Sequence, residues 1–192
     1  ERVVFPTLLG LGGGLFFFTL VSPLLVLYIF GHELTHWVTA KLFLRRTGRF
    51  RVGRGSGSVA VERPNIWIVL APYCIPVYTL IWIGLYGVYC FWEGSGTPPE
   101  TATRIAYAGI GVTYAFHVVL TLHALRCEQS DLREYGIVLS LSLILCLNLV
   151  VVYVGLVAAT GAWVEGPRLV WDRMVFHWRL LRWGWYLLRW VL

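Results

Sequence analysis

Residues 3–44, VVFPTLLGLGGGLFFFTLVSPLLVLYIFGHELTHWVTAKLFL, are almost entirely apolar. As one helix they would extend about 63 Å at ~1.5 Å per residue. That is twice the ~30 Å hydrocarbon core of a bilayer. The stretch must therefore make two crossings, or one crossing and a re-entrant piece. Ser22-Pro23 is the natural break, because proline suits the first turn of a new helix. This predicts helices over about 3–21 and 23–44. Gly10, Gly12, Gly13 and Gly14 in the first of them allow a second helix to approach closely.

Beyond Leu44 the character changes. Residues 45–63, RRTGRFRVGRGSGSVAVER, are polar, with Phe50 and Val52, then Val59 and Val61, alternating with polar residues around a Gly-Ser tip. This pattern predicts a juxtamembrane β-hairpin at about 49–61. Arg45, Arg46, Arg49, Arg51 and Arg54 place it on the cytoplasmic side by the positive-inside rule. A third helix over about 65–92 carries LAPYCIP, with Pro72 and Pro76 four residues apart. Two missing backbone donors predict a kinked or partly unwound helix, tolerated at membrane depth where it lines a cavity. Further helices are expected at about 104–126 and 136–160, separated by the polar CEQSDLREYG, 127–136.

The sequence thus predicts an all-α polytopic membrane protein with about five transmembrane helices. Residues 1–164 form the membrane-embedded domain, and 165–192 a separate C-terminal segment. In that segment Trp171, Trp178 and Trp185 recur every seven residues, and Arg168, Asp172, Arg179, Arg182 and Arg189 fall on one helical face. This reads as an amphipathic interfacial helix; docking on a partner subunit is the alternative. Five crossings from a cytoplasmic start put this basic tail on the far side, against the positive-inside rule.

Composition agrees with a membrane chain: 58% hydrophobic and only 14% charged, against about 25% charged in soluble domains. Ten Trp and ten Tyr suit interfacial aromatic belts. The net charge of +6 is interleaved with Leu, Trp and Val, which suits anionic lipid headgroups rather than nucleic acid. Cys74, Cys90, Cys127 and Cys146 form no CxxC pair and read as small apolar filler. The first apolar run lacks a small-residue cleavage site, so no cleavable signal peptide is expected. The expected location is a bacterial-type cytoplasmic membrane.

Within the second helix, GHELTHWVTAKLF puts His32 and His36 on one face, with Glu33 beside the first. This is the H-E-x-x-H pattern, in which two imidazoles bind zinc and the carboxylate is general base toward a zinc-bound water. Zinc brings the pKa of that water to about 7. Three ionisable residues within five positions of a membrane helix are costly unless they serve a function. Two packed histidines with a paired Glu are the bland alternative.

A catalytic zinc needs a third protein ligand. His36 lies nine residues before Arg45, and His117 nine before Arg126, so both sit about 13 Å below the same membrane edge. His117 is one candidate. Asp131 is the other, provided that its segment dips inward. His123 lies nearer the edge and reads as interfacial. Asn148 reads as an interhelical hydrogen-bonding residue or a substrate-path group. Pro72 and Pro76 are candidates for a polar path to the site.

These features resemble the site-2 protease family of intramembrane zinc metalloproteases, over roughly residues 22–150. GHELTH in an apolar helix carries most of the resemblance. The order of parts carries the rest: zinc-site helix, hairpin, proline-bearing LAPYCIP, then a helix leading to an Asp. The resemblance implies cleavage of substrates in or near their membrane span, with His32 and His36 as ligands, Glu33 as base and Asp131 as third ligand. The family's late Asn-Pro and Asp-Gly pairs are not matched: Asp131 is followed by Leu132, and no Asn-Pro precedes it. Both His117 and Asp131 therefore stand as third ligand. Zinc is the expected cofactor, and membrane lipid and a membrane-protein substrate are the expected partners. A catalytically silent subunit of a larger membrane complex is the competing reading. A His/Glu transport path is a further one, but no inverted repeat supports it.

Overall fold

A computed structural model describes residues 2–21, 24–94, 97–126 and 130–191. Among them are eight helices: α1 (Val4–Leu20), α2 (Leu25–Leu42), α3 (Ile66–Cys74), α4 (Val77–Glu93), α5 (Glu100–Arg126), α6 (Ser130–Glu134), α7 (Ile137–Thr160) and α8 (Glu165–Val191). Strands β1 (Thr47–Val52) and β2 (Gly57–Val61) form an antiparallel hairpin. The expected break at Ser22-Pro23 lies outside the described residues, as do Cys127 and the side chain of Arg189. The chain divides into two compact units, Glu1–Leu149 and Val150–Leu192.

In the first unit, α1 packs on α5 with almost no side chain between them. A Cβ at Gly10 would collide with the Ala108 carbonyl, and one at Gly111 with the Thr7 carbonyl. At Gly14 a Cβ would lie 2.7 Å from that of Ala115. This is the small-residue mode of helix packing that suits a medium as apolar as the side chains themselves. Gly12 and Gly13 face open space, so only part of the glycine cluster serves the seam.

The hairpin folds onto α2. Phe50 pairs with Val59 and Val52 with Gly57, and the turn closes through Gly53 N–H donating to the Ser56 carbonyl at 2.8 Å. Phe30 of α2 meets Phe50 edge-on, with centroids 5.9 Å apart.

The third predicted helix is split. α3 and α4 meet at 69° across Ile75-Pro76. Asn65 caps α3 by accepting from Ile68 N–H at 3.0 Å. Every residue of α3 from Ile68 to Cys74 is buried. Pro72 sits in its interior, where proline costs ~3 kcal/mol or more in an isolated helix. Packing offsets that cost: Val69, Leu70, Tyr73 and Cys74 share a core with Ala124 of α5, Leu132 of α6 and Ile144 of α7.

Two helices, α5 and α7, are each long and apolar enough to cross a bilayer. Each bent pair, α1 with α2 and α3 with α4, adds up to one more, giving two to four candidate spans. The predicted count of five treats α1 and α2 as separate crossings. At 17 and 18 residues they reach only about 26 and 27 Å, just short of the hydrocarbon core. Large apolar residues face outward along these helices, among them Phe5, Leu9, Phe16 and Leu20 of α1 and Val138 and Leu145 of α7.

In the second unit, α7 ends at Gly161, whose φ of 69° gives the left-handed turn that stops a helix. The 27-residue α8 follows. It exposes Trp171, Trp178, Trp183 and Trp185 alongside Met174 and Leu181.

Candidate metal centre

His32 and His36 lie one turn apart on α2, so their rings project from the same face. Their Nε2 atoms are 3.2 Å apart. Asp131 Oδ2, from α6, lies 3.5 Å from each. Tetrahedral zinc with bonds of about 2.0–2.1 Å requires ligand–ligand edges of about 3.3–3.4 Å. The three observed edges match that triangle. Among the described residues, these three form a group able to hold a metal ion.

The atoms behind the ligands support the same chemistry. His36 Nδ1 lies 2.9 Å from the Ile68 carbonyl. A carbonyl only accepts, so Nδ1 carries the hydrogen and Nε2 of the neutral ring offers its lone pair to the site. Tyr28 OH lies 3.2 Å from His32 Nδ1, and the Tyr73 ring meets His32 edge-on. Tyr73 OH donates to Asp131 Oδ2 at 3.2 Å. Such outer partners fix the orientation of metal ligands. The His36 Nε2 lone pair and the Asp131 carboxylate oxygen thus converge on one point beside His32 Nε2.

Asp131 reaches the site because α6 is pinned. Ser140 Oγ donates to the Leu132 carbonyl at 3.2 Å, and Tyr135 OH to the Pro64 carbonyl at 3.1 Å. Gly136, at φ 90°, turns the chain from α6 into α7. Burial would raise the Asp131 pKa, but its hydrogen bonds with His32 and His36 outweigh it and hold the carboxyl below the ordinary range.

Glu33 lies outside the three-residue group and is buried at 9% exposure. Strand β2 covers it: a Cβ at Gly57 would lie 2.7 Å from Glu33 Cγ. The Val59 backbone is close enough to act on its carboxylate.

His117 falls outside the three-ligand group. Its Nε2 is buried without a hydrogen-bond partner among the described residues. It lines a cavity of about 20 Å³ with His32, Thr35, Pro72 and Phe116. That is enough for roughly one water. Asn148 is interhelical: its Nδ2 donates to the Tyr73 carbonyl at 2.9 Å and to the Ile144 carbonyl at 2.8 Å. Pro76 stands at the α3–α4 break, and His123 is exposed.

Tyr28, Tyr73 and Gly57 were not singled out by sequence reasoning. Tyr28 carried a usable signal, lying four residues before His32 and so on the same face. Tyr73 and Gly57 meet the site only through tertiary packing. Compared with known proteins, the chain matches no family model, no curated protein and no solved structure.

Proposed function

We propose that this chain is a membrane-embedded zinc metalloprotease of the site-2 protease kind, cutting substrates within or near their membrane span. The observation that carries the reading is the 3.2–3.5 Å triangle of His32 Nε2, His36 Nε2 and Asp131 Oδ2, with Glu33 next in sequence to a ligand. Asp131 is the third ligand in this reading, and His117 is not.

A bound zinc would supply the Lewis acidity that activates water and polarises a peptide carbonyl. Glu33 takes the proton from the attacking water and passes it to the leaving amine. Burial beneath β2 keeps the carboxylate shielded from bulk solvent. The free edge of the hairpin offers a template on which an unwound substrate segment adds as a strand. The break at Pro76 and the small cavity by Pro72 mark the path by which water would reach the site. In this reading α1 and α2 each cross, giving five spans. The Trp- and Arg-bearing α8 lies on an anionic lipid surface.

The test is elemental analysis of the purified full chain together with cleavage of a reporter carrying a membrane span. One zinc per chain, lost in His36→Ala, is expected. Glu33→Gln is expected to keep zinc and lose cleavage by ~10²–10⁴-fold, the usual contribution of a general base. A native chain that takes up no metal after zinc is added back would overturn the reading and leave a silent subunit.

A further inference from the structure

The hydrogen bond behind His36 has an unusual origin. In an α-helix the carbonyl of residue 68 is filled by the N–H of residue 72. Residue 72 is proline, which has no N–H. The Ile68 carbonyl is thus left without its helical donor at the start of the buried stretch of α3. His36 Nδ1, 32 residues earlier in the chain, fills it at 2.9 Å. A buried carbonyl without a donor is costly, so the vacancy and the imidazole N–H satisfy one another.

We infer that Pro72 is a positioning residue for the metal site: by withholding its N–H it creates the acceptor that fixes the tautomer and ring orientation of His36. The inference rests on the metal-site reading above and adds a cause for the ligand's geometry. Pro76 makes a useful contrast. Its missing N–H would leave the Pro72 carbonyl, one turn further on, without a donor, and it marks the α3–α4 bend. It leaves the His36 acceptor untouched. One proline serves the ligand and the other serves the bend.

In Pro72→Ala the restored N–H competes for the Ile68 carbonyl. Losing an outer hydrogen bond to a metal ligand typically weakens affinity 10–100-fold. The full chain in detergent would be titrated with Zn²⁺ against a chromophoric chelator, and with Co²⁺ to read the visible ligand-field spectrum. Pro72→Ala is expected to bind Zn²⁺ about 10–100-fold more weakly, with a shifted Co²⁺ spectrum. The metal-free form should melt higher, since a helix-interior proline has gone. Pro76→Ala is expected to keep the Zn²⁺ affinity within about twofold, because it leaves the outer hydrogen bond in place. Pro72→Gly, which also restores the N–H, is expected to repeat the affinity loss should Pro72→Ala express poorly. Equal affinity in Pro72→Ala and the native chain would overturn the inference. So would equal losses in Pro72→Ala and Pro76→Ala, which would assign the effect to the bend. A native chain that binds neither ion would instead sink the metal site itself.

Discussion

Gly57 of β2 lies against Glu33 of α2 so closely that a Cβ on the glycine would sit 2.7 Å from Glu33 Cγ and 3.1 Å from Oε1. The same Cβ would also meet Ile29 Cγ2 at 2.6 Å. Only a residue without a side chain lets the strand approach this far. Gly57→Val is therefore expected to lift β2 from the helix and expose the carboxylate to solvent. Reporter cleavage should fall at least tenfold while zinc content is unchanged. Native-like cleavage by the variant would show that the strand does not shape the base.

Asp131 and His117 separate cleanly by metal content. Asp131→Ala removes one corner of the ligand triangle, and bound zinc should drop to a trace after dialysis. His117→Ala touches the cavity wall and should keep one zinc per chain. The reverse pattern, measured by elemental analysis of both variants, would make His117 the ligand.

The α1–α5 seam predicts a contrast among glycines of one chain. Gly111→Val drives a side chain into the Thr7 carbonyl and the Leu11 amide of α1. Overpacking of this kind typically costs ~1–3 kcal/mol, visible as a lower melting temperature in detergent. Gly12→Val and Gly13→Val enter open space and should leave the melting temperature unchanged or slightly raised.

The helix α8 carries Arg168, Arg173 and Arg179 among its exposed tryptophans. Each basic residue near an anionic surface contributes ~1 kcal/mol. Hydrogen exchange over 165–191 should be slower in nanodiscs containing phosphatidylglycerol than in phosphatidylcholine alone. Replacing all three arginines by Glu should erase the difference. Equal protection in both lipids would point to a protein partner instead.

What could be read from the sequence follows the range of the interactions. His32, Glu33 and His36 were legible because a helix fixes the geometry of i and i+4 neighbours without outside help. The hairpin was legible because its alternation and Gly-Ser tip are local. Proline spacing announced a disturbance at 72–76, and the structure resolves it into two helices at 69°. Which residue joins the two histidines was not decidable. His117 and Asp131 sit in different elements, and choosing between them depends on how α6 is pinned by Ser140 and Tyr135. The number of crossings was hard for a related reason: helices of 17 and 18 residues fall at the boundary of what spans a bilayer. Gly57 carried no sign of its role, since a glycine near a hairpin tip is ordinary turn chemistry.

The three atoms of the triangle come from two distant parts of the chain, with Asp131 lying 95 positions after His36. During synthesis the two imidazoles and Glu33 emerge together, before the hairpin, the broken helix and the long helix that follow them. The carboxylate arrives only when α6 docks. A chain halted before that point holds a pair of histidines with no third corner. Completion of the triangle able to hold a metal ion is thus a late event in the life of the molecule, reached only once α5 and the pinned α6 are in place around it.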